Sequence, residues 1–145
     1  MCGARSRVGG THWACWRTRL RVPNWRSIWR ASSTPWSDAW NERDSDKRTE
    51  LLNASVAPDG SLRDPFAVVV GRDEMSDRIA TAHACGSPGR LERSGPVQHC
   101  QAAIRFGWRV RHTSGEAVAS GTNYAVLSLE AKLRSVVGFW DVLPT

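Results

Sequence analysis

The residue whose type is most at odds with its place is Asn123, an amide set in an apolar surface. From Ala102 to Val110 every even position is apolar and every odd one is Ala, Gly or Arg. Alternation of that kind is the pattern of an antiparallel strand with one buried face. Ser114 and Gly115 supply turn chemistry, and a second strand follows from Glu116 to about Ser128. With a two-residue turn, Val110 opposes Ala119, Trp108 opposes Gly121, Phe106 opposes Asn123 and Ile104 opposes Ala125. Large side chains on one strand then face small ones on the other, and Asn123 sits among them. A buried amide must find hydrogen-bond partners or it costs roughly 1–3 kcal/mol. Either neighbouring backbone or a water satisfies it, or this face lines a cavity and Asn123 points into it.

Metal and thiol chemistry have weaker support. The four Cys, at 2, 15, 85 and 100, form no C-x-x-C pair, and Cys85 and Cys100 have no His at zinc-finger spacing. His12 and Cys15 with Cys2 make a poor metal set. No metal and no cofactor are expected. Free thiols in a reducing compartment point to a cytoplasmic protein.

Charge divides the chain. Residues 1–37 carry seven Arg and no acid, whereas residues 38–145 carry 13 basic and 14 acidic groups. The high isoelectric point belongs to the N-terminal segment, so nucleic-acid binding is not expected of the body. Residues 1–33 hold four of the eight Trp without periodicity. A basic aromatic arm for lipid or single strands fits that composition, as does a transit peptide, although Gly9-Gly10 and Pro23 spoil an amphipathic helix. The preferred reading is a disordered extension before one domain over 34–145. No stretch of 18 apolar residues offers a membrane span.

The elements that would position Asn123 can be read in order. Thr34-Pro35 starts a helix that puts Trp36, Ala39 and Trp40 on one face. Asp44 or Ser45 caps a second helix, to about Ser55, which buries Leu51 and Leu52. Ala57-Pro58-Asp59-Gly60 reads as a turn, Ser61 to Asp64 as a short strand ended by Pro65, and Phe66 to Val70 as loop or extended chain. A third helix runs from Arg72 to about Cys85, with Met75, Ile79 and Ala82 as its inner stripe; Gly86 to Gly89 ends it. A strand opening at Leu91 breaks at Gly95-Pro96. The long hairpin follows, and a last strand spans about Leu133 to Trp140. Helices first and longer strands after imply an α+β fold with helices on one side of an antiparallel sheet.

Five segments, in this order, resemble the SnoaL-like branch of the nuclear transport factor 2-like superfamily. They are Trp36 to Asp44, Ala57 to Pro65, Gly71 to Met75, Gly121 to Tyr124 and Val137 to Asp141. The resemblance covers roughly 34–143. It implies a cone-shaped roll of the cystatin-like type, a curved sheet wrapped around about three helices with an apolar pocket at one end. Relatives include polyketide cyclases and ketosteroid isomerase, and such a fold does not dictate function. In that isomerase the general base is an Asp in an Asp-Pro-Phe context, which Asp64-Pro65-Phe66 resembles. Its oxyanion donors are a Tyr and a protonated Asp. The Tyr position falls on the first helix, where this chain has Trp36 and Trp40, and the Asp position falls at Asn123. Asn donates a hydrogen bond but cannot shuttle a proton, so steroid isomerisation itself is not expected.

The resemblance thus implies a pocket for an apolar, carbonyl-containing small molecule. Asp64 would be its base and Asn123 its oxyanion donor. Trp36, Trp40, Phe66, Phe106, Trp108 and Trp140 would form the walls. The alternative is a non-catalytic module that binds a hydrophobic ligand or dimerises. An Asp64 that bonds its own turn, or pairs with Arg63 or Arg72, would favour that alternative. The outward sheet face, with Arg105, Arg109, Arg111, Tyr124 and Phe139, is expected to form a homodimer.

Overall fold

The computed structural model describes residues 34–85 and 89–142. The N-terminal extension and residues 86–88 lie outside them. Among the described residues there are three helices and six strands. Helix α1 covers residues 34–41. Helix α2 is Ser45–Ser55 and helix α3 is Arg72–Ala84. The strands are β1 (Val56–Arg63), β2 (Val68–Val70), β3 (Gly89–Cys100), β4 (Ala103–His112), β5 (Ala117–Leu127) and β6 (Leu133–Val142). They form one curved, unclosed sheet in the order β2-β1-β6-β5-β4-β3. The fold is α+β.

Each helix is tied down by a specific polar contact. Asp44 caps α2: its Oδ1 accepts from the backbone N–H of Asp46 and of Lys47, at 3.1 and 3.0 Å. The Lys47 bond holds the Asp44 carboxyl below its ordinary value. The cap therefore contributes stability above the unfolded-state value, and that contribution is lost as pH falls through the folded one. Arg48, 4% exposed, donates to Ser76 Oγ on α3 and to the carbonyls of Glu42 and Arg43 after α1. Asn41 docks α1 on the sheet by exchanging bonds with the backbone of Leu91. Between helices and sheet lies the core, built on Trp36, Leu52, Met75, Ile79, Ile104 and Val136.

The sheet departs from the sequence expectations in four places. The β1–β6 pairing is parallel, so the sheet is mixed rather than antiparallel throughout. Ala57 to Gly60 is not a turn but lies within β1. Val56 pairs with Leu133 and Ser61 already with Ser135, so the Pro-Asp-Gly run forms an irregular bulge against β6. Gly95-Pro96 does not break β3; it lies where the register shifts between Ser94 and Gln98. Gly95 takes φ +74°, and β3 is the sheet's edge, where a missing Pro donor is tolerated.

The fourth departure concerns the hairpin turn. Its loop has three residues, closed by His112 N–H donating to Glu116 O at 2.8 Å, with Gly115 at φ +89°. That loop alone would set a register one residue off. A bulge at Val118 restores it, since Arg111 pairs with Ala117 but Val110 with Ala119. Phe106 therefore opposes Asn123 and Trp108 opposes Gly121, as the alternation demands.

Candidate functional site

Asn123 lies on the helix-facing side of β5 and is 9% exposed. Its Oδ1 accepts from the Trp108 indole N–H at 3.0 Å. An indole nitrogen only donates, so the amide must turn its oxygen to Trp108 and its NH₂ away. No described residue accepts from that NH₂. Two glycines make room. A Cβ on Gly121 would meet Trp108 Cζ2 at 2.5 Å, so the indole lies against bare backbone. A Cβ on Gly138, which pairs with Asn123, would lie 3.1 Å from Asn123 Oδ1 and 3.7 Å from Asp64 Cβ. Asp64 and Asn123 thus flank the same bare stretch of β6.

Asp64 follows β1 and shapes the loop to β2. Its Oδ1 accepts from the backbone N–H of Phe66 and of Ala67, both at 2.8 Å. Its Oδ2 accepts from Arg78 Nη2 at 2.8 Å, and the side chains are 4% and 11% exposed, Asp64 being the more buried. The partner is neither Arg63 nor Arg72: Arg63 is exposed, and Arg72 donates to the Val56 carbonyl. Arg78 was legible in principle. Met75, Arg78, Ile79 and Ala82 fall on one helix face, so a charge stands inside the apolar stripe of α3.

Around this pair the aromatic side chains make a chain of contacts. The Arg78 guanidinium carbon lies 5.8 Å from the Trp40 ring centroid and 5.6 Å from that of Phe66. Phe66 meets Trp140 edge-on at 5.1 Å, and Trp140 meets Trp108 at 4.9 Å. Trp36 meets Trp40 at 5.9 Å. Their exposure differs. Trp36, Phe106 and Trp108 are buried, Trp40 and Trp140 half-buried, and Phe66 is 59% exposed at the rim. Two donors in this region are buried without a partner, Arg78 Nε and Trp36 Nε1. A separate polar depression of about 330 Å³, lined by Asp38, Asn41, Glu42, Leu51 and Arg90, includes none of these aromatics. Among the described residues no group of His, Cys, Asp and Glu is placed to hold a metal ion, and no helix is long and apolar enough to cross a membrane.

Several solved structures share this fold. A SnoaL-like family protein from Agrobacterium tumefaciens, provisionally assigned as an isomerase, is 27% identical; the match covers 79% of this chain and 98% of that one, with a TM-score of 0.73. A SnoaL-like protein of unknown function from Burkholderia thailandensis is 13% identical over 79% and 96% of the two chains, TM-score 0.61. A polyketide cyclase candidate from Sinorhizobium meliloti is 15% identical over 72% and 90%, TM-score 0.55. No family model and no curated protein matches the sequence. The fold is that of the NTF2-like proteins with cystatin-like architecture. Within that class the chain is similar to SnoaL-like proteins, one of them at 27% identity.

Proposed function

We propose that this protein binds an apolar, carbonyl-containing small molecule against Trp40, Phe66, Trp108 and Trp140, and that Asp64 orients Arg78 rather than taking a proton. The observation that carries the reading is the bonding of Asp64. Both its oxygens are engaged, by two backbone N–H groups and by Arg78. To act as a base it would have to release the guanidinium and leave a buried charge unpaired. The likeness to isomerase and cyclase structures supports a small-molecule site of this kind.

A second reading, proton transfer with Asp64 as base, draws on the closeness of Asp64 and Asn123 to Gly138. One experiment separates the two. 1-Tetralone, a bicyclic ketone with exchangeable α-hydrogens, is titrated into the full chain while the indole N–H signals are followed by ¹⁵N NMR. A saturable shift of the Trp108 signal is expected, and its absence up to the solubility limit would refute the pocket. In deuterium oxide the binding reading expects α-exchange at the buffer rate. Faster exchange that disappears in Asp64→Asn would establish the base instead.

The outer sheet face supports a homodimer. Register aligns Val68, Arg63, Val137, Tyr124 and Arg105 in one row across it. Val68, Tyr124 and Phe139 are exposed there, at 63%, 45% and 60%. Light scattering at micromolar concentration is expected to return twice the 16.1 kDa chain mass. Tyr124→Glu with Phe139→Glu should return one chain with an unchanged circular dichroism spectrum. A single-chain mass for the parent would remove the idea.

A further inference from the structure

The row of residues that the homodimer would bury is not electrically balanced. Cross-strand neighbours lie about 4.8 Å apart. Arg63 beside Val137 and Arg105 beside Tyr124 therefore cannot stand clear of an interface that covers those two. Both arginines are exposed, and neither has a side-chain hydrogen bond or ion pair among the described residues. Across the paired outward positions of the described strands, arginine recurs at Arg63, Arg90, Arg105, Arg109 and Arg111, and the one acid is Glu92. Glu92 is already engaged. Its Oε2 accepts from Arg109 Nε at 3.3 Å and from Arg111 Nε at 3.1 Å. Neither Arg63 nor Arg105 finds a carboxylate on this face.

Symmetry closes the other source. In a two-fold dimer the same patch stands on both copies, so the second copy brings more arginines and only a Glu92 that its own arginines hold. Like charges brought together in an interface repel, and salt screens partly buried charges less than exposed ones. The compensating charge must come from solution. A guanidinium offers paired N–H donors in a planar fork that matches the oxygens of a phosphate. A multivalent oxyanion can accept from a guanidinium of each copy at once, with oxygens turned to both.

Resting on the homodimer reading above, we infer that the outer sheet face is an anion site shared between two copies, in which Arg63 and Arg105 bind an oxyanion of the phosphate type and so link dimerisation to anion concentration. The apolar contacts of Val68, Val137, Tyr124 and Phe139 hold the copies together. The anion removes the repulsion of the arginines that flank them.

The test is sedimentation velocity of the full chain, diluted through the micromolar range at neutral pH. Sodium chloride and sodium phosphate are compared at one ionic strength, about 0.15 M, which separates anion binding from screening. The dimer dissociation constant is expected to be about tenfold lower in phosphate, the linkage that one anion gives when it stands near ten times its own dissociation constant. Arg63→Gln with Arg105→Gln removes both unpartnered charges from exposed positions. It should dimerise in chloride at least as tightly as the parent and lose the difference between the salts. Circular dichroism checks the fold of that variant, and the salt comparison on the parent stands without it. Equal dissociation constants for the parent in the two salts would overturn the inference and leave the homodimer standing. So would a phosphate effect that persists in the folded double variant, since the anion would then sit elsewhere. A single-chain mass in both salts at every concentration would remove the homodimer and the inference together.

Discussion

Asp64→Ala is expected to lower the unfolding free energy by about 3–5 kcal/mol, as removal of one member of a buried ion pair does elsewhere. The loss has two parts. Arg78 keeps its charge in a site where its side chain is 11% exposed, with no carboxylate beside it. The backbone N–H groups of Phe66 and Ala67 lose the oxygen that holds the loop in shape. Asp64→Asn should cost less than Ala by about 1–2 kcal/mol, because its amide oxygen still takes the two backbone bonds. The double change Asp64→Ala with Arg78→Met should recover part of the loss, since no charge is then stranded. Urea denaturation of the four proteins measures each step. A loss under about 1 kcal/mol for Asp64→Ala would mean that the pair is solvated and that Asp64 does not hold Arg78.

Gly121→Ala is the second large effect. Its new Cβ would meet the Trp108 ring at 2.5 Å and the backbone oxygen of Phe139 closer still. Neither can yield easily: the ring is 5% exposed and packs on Trp140, and the oxygen belongs to the neighbouring strand. The expected cost is about 3 kcal/mol, the upper range for overpacking. It should come with a changed near-ultraviolet Trp signal as the Trp108–Asn123 bond is displaced. Gly138→Ala should cost clearly less. There the added carbon meets the end of the Asn123 side chain at 3.1 Å, and a side chain can give way. Melting temperatures for the two variants check the order. A Gly121→Ala protein that melts within two or three degrees of the parent would mean that Trp108 does not rest against β5 as described.

Much of this was legible from local pattern. Alternation from Ala102 to Val110 placed Asn123 opposite Phe106 on the buried face, and the structure has that pairing. The reading survived a wrong turn length, because burying every large residue of β4 on one side allows one register, and the bulge at Val118 adjusts to it. The three helices and the Asp44 cap were also legible, since a cap and an i, i+3, i+4 stripe are properties of neighbouring residues.

What was not legible depended on partners distant in sequence. Pro58 and Gly60 have the same local preferences in a turn and in a bulged strand, and only the pairing of β1 with β6 decides between them. The parallel sense of that pairing likewise has no signature inside either strand. Arg63 and Arg72 were the partners weighed for Asp64 from sequence, whereas the structure pairs it with Arg78 of α3. That match came from the docking of α3 beside the loop after β1, not from spacing. The sequence by itself therefore determined which residues face inward and that a polar amide stands among them. Only the tertiary structure decided what that amide and the nearby carboxylate bond to, because hydrogen bonds are short and directional, and their partners here come from different elements of the chain.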